Sequence, residues 1–109
     1  MATVATATYN RMRRDTITLA VGETSQWLMV ATDGVSISVI PSGAAITVQY
    51  SQDDPAVVQG DIANGTSNSH PIAWSLGAVT TPSNQVFTRI TAVRFMCAAG
   101  ASGTAFIAE

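Results

Sequence analysis

Charge is the scarcest property of this sequence. Charged residues make up 11% of the 109 residues, lysine is absent, and the formal net charge is −2. Soluble domains usually carry charge on about a quarter of their residues, so much of this surface is neutral. Nucleic-acid binding depends on basic stripes with interleaved aromatics, which are also absent. The composition predicts no nucleic-acid partner and leaves two alternatives open: a neutral surface that packs within an assembly, or a monomer covered by Ser and Thr.

Residues suited to catalysis or metal binding are equally few. The single cysteine, Cys97, excludes an intrachain disulfide and an all-cysteine metal site. We expect the only histidine, His70, to be exposed or locally hydrogen-bonded, and a nucleophilic pair would require a buried strand cysteine to reach it. The carboxylates of Asp53, Asp54 and Asp61 lack the spacing of a calcium loop. The sequence therefore predicts no catalytic residue, no cofactor-binding residue and no metal ligand, and so no enzyme.

Segments typical of membrane or secretory proteins are missing as well. The N-terminus lacks a basic region followed by an apolar stretch, so no secretory signal is predicted. Residues 62–88 are uncharged, but Asn, Ser, Pro and Gln interrupt them, and a bilayer span needs a continuous apolar run. We expect no membrane partner. No segment shows a convincing helical period.

Alternating apolar and polar residues are the main positive signal, and they predict strands with one covered face. The segments are residues 16–21, 35–40, 45–51, 85–96 and 104–108. The predicted core positions are Ile17, Leu19, Val21, Val35, Ile37, Val39, Ile46, Val48, Tyr50, Val93, Phe95, Cys97 and Phe106. Residues 26–31 form a more continuous apolar strand. Residues 56–59 are at most a short strand, 60–69 a polar loop, and 70–74 a short edge strand, since proline is tolerated there.

This spacing gives about eight short strands with a turn signal roughly every ten residues, which is typical of a sandwich or barrel. The predicted fold class is all-β: a single-domain antiparallel β-sandwich, jelly-roll-like, with about eight short strands. Residues 1–14 are predicted to be an N-terminal arm or a first strand. Residues 15–109 are predicted to be the β-sandwich domain.

Three stretches together carry a resemblance to a known family. They are QYSQD at residues 49–53, AWSLGAV at 73–79, and ITAVRF at 90–95 followed by a Gly-rich turn and a last strand. In this order they resemble small virion proteins of tailed bacteriophages, and most of all the jelly-roll capsid decoration, or cement, proteins of short-tailed phages. The resemblance covers roughly residues 45–109, and its motifs are mainly structural.

The resemblance implies a phage virion structural protein that binds the outside of the head and bridges coat subunits. The implied partners are the major capsid protein and further copies of the chain, as a dimer or trimer. The implied location is the capsid exterior of the virion, after synthesis in the host cytoplasm. Within this hypothesis residues 1–14 form the arm. The coat-contact candidates are Arg11, Arg13 and Arg14, and the self-association candidates are Trp27, Leu28 and Met29.

Two alternatives remain open at this point. One is a glycan-binding domain of a fibre or tail-associated protein, which would use Trp74 as a stacking platform beside residues 52–69. The other is a head–tail connector or minor tail subunit, which would form rings and not decorate a lattice. The arginines at 11, 13 and 14 also fit a solvated surface turn.

Overall fold

The computed structural model describes the backbone of residues 3–9 and 12–109 and the side chains from residue 16 onward. The described chain forms nine strands and one helix. In order they are β1 (Thr3–Tyr9), β2 (Met12–Leu19), β3 (Leu28–Met29), β4 (Gly34–Ser42), β5 (Ile46–Ser51), α1 (Pro55–Asn64), β6 (Ile72–Val79), β7 (Ser83–Thr88), β8 (Ala92–Cys97) and β9 (Ser102–Ala108).

The strands form two antiparallel sheets. One has the order β1-β2-β9-β4-β7 and the other β3-β8-β5-β6. From β2 to β9 the chain passes between the sheets at every connection except the one from β5 to β6, which contains α1. This exchange produces two four-stranded sheets in jelly-roll order, and β1 adds a fifth strand to the first. The predicted all-β, jelly-roll-like sandwich is confirmed.

The core lies between the two sheets and follows the predicted alternation. Val35, Ile37 and Val39 of β4 are at most 2% exposed, and Phe95 of β8 is fully buried. Each such side chain contributes roughly 1.5–3 kcal/mol through removal from water. The predicted core face of β8 is confirmed, since Val93 is also fully buried.

Two predicted core positions are wrong, each for a local reason. Val21 is 63% exposed because the chain leaves β2 and turns at Gly22, whose φ is +68°. Phe106 is 38% exposed, while its neighbours Ala105 and Ile107 are buried. Successive strand residues face opposite sides, so a shift of one residue in the expected register exchanges the two faces of β9.

The helix α1 corrects the prediction of a chain without helices, in which residues 56–59 were a short strand and 60–69 a loop. Its buried side chains are few, so no helical period is visible in the sequence. At ten residues it is too short to cross a bilayer, and no helix in the described part of the chain is long and apolar enough to do so. The predicted edge strand at 70–74 is confirmed as β6, which extends to Val79 and lies at the end of its sheet.

Candidate functional site

The α1 segment, residues 52–70, is the main addition to the sandwich, and local chemistry sets its bounds. The carboxylate of Asp54 caps the helix by accepting a hydrogen bond from Ala56 N at 2.8 Å. Pro55 occupies the first turn, where its missing N–H costs nothing. The helix ends at Asn64 and is capped by Gly65, whose left-handed φ of +65° lets its N–H bond to the Asp61 carbonyl at 2.9 Å.

A buried carboxylate holds the chain that follows α1. Asp61 is 4% exposed, and its Oδ1 accepts hydrogen bonds from Thr66 Oγ1 at 2.6 Å and Asn68 N at 3.0 Å. Its Oδ2 accepts from the N–H and the hydroxyl of Ser69, at 2.7 and 2.6 Å. These donors, the Ser69 hydroxyl first, hold the pKa of Asp61 far below its usual range. Four donors occupy both oxygens, so the carboxylate has a structural role.

A second carboxylate anchors the end of the segment. Asp53 accepts hydrogen bonds from Ser51 Oγ at 2.9 Å and from the His70 N–H, and its Oδ1 lies 3.0 Å from His70 Nδ1. The His70 backbone N–H, followed by its ring, lowers the pKa of Asp53. The His70 side chain is 86% exposed. The expectation of an exposed or locally hydrogen-bonded histidine is confirmed by the exposure, whereas the hydrogen bond is a tertiary contact with a residue 17 positions earlier in the chain.

The helix covers part of the outer face of the four-stranded sheet. Val58 of α1 is fully buried against Trp27 and Ala92. The Arg94 guanidinium lies 4.6 Å from the centroid of the Trp27 ring, and its Nε donates to Gln49 Oε1 at 2.8 Å. A shallow groove runs alongside, lined in part by Trp27, Asp61 and Arg94. Its one cation, Arg94, is already engaged by a ring and an amide. The Thr66 hydroxyl in its lining donates to Asp61, whose two oxygens are also occupied by Asn68 and Ser69.

The cysteine and the histidine lie far apart. Burial, together with the charge of Glu23, raises the pKa of the Cys97 thiol. Cys97 pairs with Ile46 at the start of β5, whereas His70 is bonded to Asp53 beyond the end of that strand. Five strand residues separate these ends by about 17 Å, so the thiol and the imidazole do not form a catalytic pair. Among the described residues, no three of His, Cys, Asp or Glu are placed to bind a metal ion.

The coat-contact candidates lie at the start of the chain. Arg11 lies outside the described residues. Arg13 and Arg14 belong to β2, where their backbones are paired with Thr8 and Ala7 of β1. Their side chains are not among those described, so the coat-contact assignment stays a prediction.

The self-association candidates lie around β3, which has only two residues. The Trp27 ring is 6% exposed because α1 and Arg94 cover it, and this removes it from the accessible surface. Leu28 packs against the main core and Met29 against the cluster of Trp27 and Val58. Both are half-buried, and their role in self-association stays a prediction.

Trp74 is part of the core, so its assignment as a glycan platform is wrong. It is 2% exposed, and its indole N–H donates to the carbonyl of Gly77. The β5–β6 register moves from Thr47↔Ala78 to Gln49↔Ala73, so β6 bulges between these pairs. The bulge turns the ring inward. Gly77, with φ of +66°, is the only local sequence signal of it.

The β6–β7 side, residues 72–88, is the most neutral part of the described surface. The two strands end their respective sheets, and Ser75 Oγ of β6 donates to Gln85 Oε1 of β7 at 2.7 Å. No charged residue occurs from 62 to 88. Ile72, Leu76 and Val86 are nevertheless 40%, 46% and 65% exposed. The sequence showed the uncharged tract, but only the fold shows that it borders two open strand edges.

Solved structures similar to this chain share its fold at very low identity. A recombinant oxalate oxidase in complex with glycolate matches 98% of this chain and 49% of its own, with a TM-score of 0.58 at 10% identity. Peruvianin-I, a cysteine peptidase from Thevetia peruviana latex, matches 98% of this chain and 60% of its own, with a TM-score of 0.58 at 9% identity. A Bacillus endospore appendage protein of disulfide-linked pili matches 99% of this chain and 87% of its own, with a TM-score of 0.53 at 12% identity.

The chain thus spans about half the length of the oxalate oxidase and 60% of the peptidase. At these identities the likeness shows the fold alone. No protein-family model and no curated protein sequence matches the chain.

Proposed function

We propose that this chain is a structural protein of a phage virion that decorates the outside of the head and bridges neighbouring coat subunits. The observation that carries the proposal is the neutral β6–β7 side, with exposed Ile72, Leu76 and Val86. Open strand edges with apolar side chains are a liability for a free monomer and are usually covered by a partner. The resemblance of residues 45–109 to cement proteins is the reason for proposing a phage head as the assembly.

A binding role without catalysis fits the polar residues as well. His70 is bonded to Asp53, Asp61 is saturated by four donors, and Cys97 is buried with a raised pKa. Each of these groups has a structural use. We therefore propose that the chain is not an enzyme, although two of the structural neighbours reported above are enzymes, an oxalate oxidase and a cysteine peptidase.

The size and fold of the chain suit an assembly of many copies. The endospore appendage protein, of which this chain covers 87%, builds pili, which illustrates that a sandwich of this kind can serve as a repeating subunit. On a head lattice each single contact needs only a modest free energy. One copy that bridges two coat subunits makes two contacts, and their free energies add. The coat contact is proposed at the β1–β2 pair, through Arg11, Arg13 and Arg14, because guanidinium groups suit interface ion pairs.

Co-sedimentation of the purified chain with undecorated heads tests this function. Saturation at hundreds of copies per head, matching the lattice positions, is the expected result. A few copies per particle would instead favour a head–tail connector or minor tail subunit, and no binding would contradict the proposal.

A variant with Arg11, Arg13 and Arg14 all changed to Ser tests the coat contact. We expect its affinity for heads to fall at least about tenfold. The matched control changes the same three residues to Lys, which keeps the charge but removes the planar guanidinium donors. Affinity fully retained in the Lys variant would show a general charge effect and would contradict a contact that depends on guanidinium groups.

A further inference from the structure

We propose that β7 is a self-association strand: two copies of this chain pair their β7 strands antiparallel about a two-fold axis at Val86. The two five-stranded sheets then join into one ten-stranded sheet. This surface differs from the one around Trp27, Leu28 and Met29 that the sequence suggested.

The edge strands with described side chains differ in how they are protected. β3 has two residues, and α1 packs beside it. β6 is interrupted by the bulge at Trp74 and Gly77. Short edges and bulges are devices that prevent pairing with another chain. β7 has neither, because its six residues pair without interruption with β4, from Gly34↔Thr88 to Val39↔Ser83.

The faces of β7 restrict the register of such a pair. Phe87 points into the core and Val86 points outward. Residues opposite each other in a continuous sheet share a face. A two-fold axis at Val86 satisfies this rule and places Val86 beside its own copy, with Asn84 opposite Thr88. An axis at Gln85 would leave Val86 facing Asn84. The first register buries the most exposed described hydrophobic side chain, at 65%, against an apolar partner.

Charge favours a second copy as the occupant. No charged residue lies between 62 and 88, so two β6–β7 sides meet without like-charge repulsion. The nearest charge along the chain is Arg89, which is bonded through its backbone N–H to the carbonyl of Asp33. In the Val86 register Arg89 lies opposite Ser83 of the second copy. The two Arg89 residues are then about 20 Å apart, beyond the screening length in physiological salt.

The side of the sandwich that contains β7 is as large as a standard interface. The molecule measures 34 × 34 × 25 Å, so one whole side extends over on the order of 800 Å², which is the area that a standard interface buries on each partner. An interface of this kind is isologous, as in most two-fold dimers.

Sedimentation equilibrium of the purified chain at micromolar concentrations is the first test. The expected mass is twice the 11.3 kDa of the chain. Val86→Lys replaces the apolar pair by two lysines whose Cβ atoms are about 5 Å apart across the axis and whose charges repel, so we expect a monomer and a dissociation constant raised at least about 100-fold. Val21→Lys is the matched control, because Val21 is 63% exposed in a distant turn, and it should remain a dimer.

Cross-linking locates the axis without relying on the lysine variant. Val86→Cys treated with a short bis-maleimide should give a covalent dimer. Val21→Cys and the parent chain, whose Cys97 is buried, should not. A monomeric parent chain, a stoichiometry other than two, a dimer that survives in folded Val86→Lys, or no cross-link at Val86→Cys would each overturn the proposal. Because these measurements use the purified chain alone, their outcome is separate from head binding.

Discussion

The sandwich and the α1 segment are stabilised in different ways. Between the sheets, every second residue of a regular strand faces the core, and side chains such as Val35, Ile37 and Phe95 are buried there. In the α1 segment, Val58 and Asp61 are the only buried helix residues. Its order comes from carboxylates that cap the helix or accept hydrogen bonds from the following loop. Stability is therefore spread over many positions in the sandwich and concentrated in a few in the segment.

The largest expected effect is in the core. Phe95→Ala removes a fully buried ring and should lower the free energy of unfolding by about 3–5 kcal/mol. Phe106→Ala on the neighbouring sheet removes a ring that is 38% exposed, and should cost about 1 kcal/mol or less. Urea denaturation of both variants measures the difference. Similar losses would mean that Phe106 is a core residue after all.

Two glycines extend the comparison to the backbone. At Gly103, with φ of +151°, an added Cβ would collide with the Ile40 backbone. Gly103→Ala should therefore destabilise the sandwich by more than about 1 kcal/mol. Gly60 lies inside α1 with open space around it, so Gly60→Ala should stabilise the protein by about 0.5–1 kcal/mol. Opposite signs in thermal unfolding are expected, and equal signs would contradict this account.

Acid should affect the α1 segment more than the sandwich. The pKa values of Asp53 and Asp61 are lowered in the folded state, so the unfolded chain binds more protons and stability rises with pH. Their contribution is present above about pH 4 and is lost as the pH falls below the unfolded value. Asp61→Asn also replaces one carboxylate oxygen by an NH2 group, which is a donor and cannot accept the hydrogen bonds of Ser69.

We therefore expect Asp61→Asn to be less stable than the parent chain at neutral pH, with a smaller difference near pH 3. Phe95→Ala should show the same loss at both pH values, because it removes no titratable group. Urea unfolding at the two pH values provides the measurement. An Asp61→Asn deficit that does not change with pH would rule out the carboxylate as the source.

A small and local effect is expected at the helix cap. Asp54→Ala removes the acceptor for Ala56 N and should cost about 1 kcal/mol, whereas Asp54→Asn keeps an acceptor and should be nearly neutral. Amide hydrogen exchange in α1 is the direct readout. Protection that is unchanged in both variants would show that packing of Val58 alone maintains the helix.

The contrast between the two regions explains what could be predicted. Period-two alternation identified the strands because each core side chain repeats the same signal, as in Val93 and Phe95. It failed at Phe106, where register is set by pairing with β2 and β4, and at Trp74, where a bulge of β6 turns the ring inward. Neither the pairing partner nor the bulge leaves a period in the sequence.

The candidate site was less accessible to sequence reasoning. The lone His70 was correctly expected to be exposed or locally bonded, and Cys97 to be a buried strand residue. Asp61 gave no signal, because its donors follow five to eight residues later in an irregular loop and form a cradle only once α1 has formed. The open edge at Val86 became visible only from the order of the strands.

The sequence by itself determined that the chain is all-β, carries few charges and has only one cysteine and one histidine. Composition and alternation are local properties, so they can be read without the fold. Tertiary structure decided the rest. It set which strands end the sheets, which aromatic rings are buried, and where two carboxylates meet their donors. These depend on contacts between residues far apart in the chain, such as Asp53 with His70 and Ser75 with Gln85, and such contacts exist only when the strands have paired.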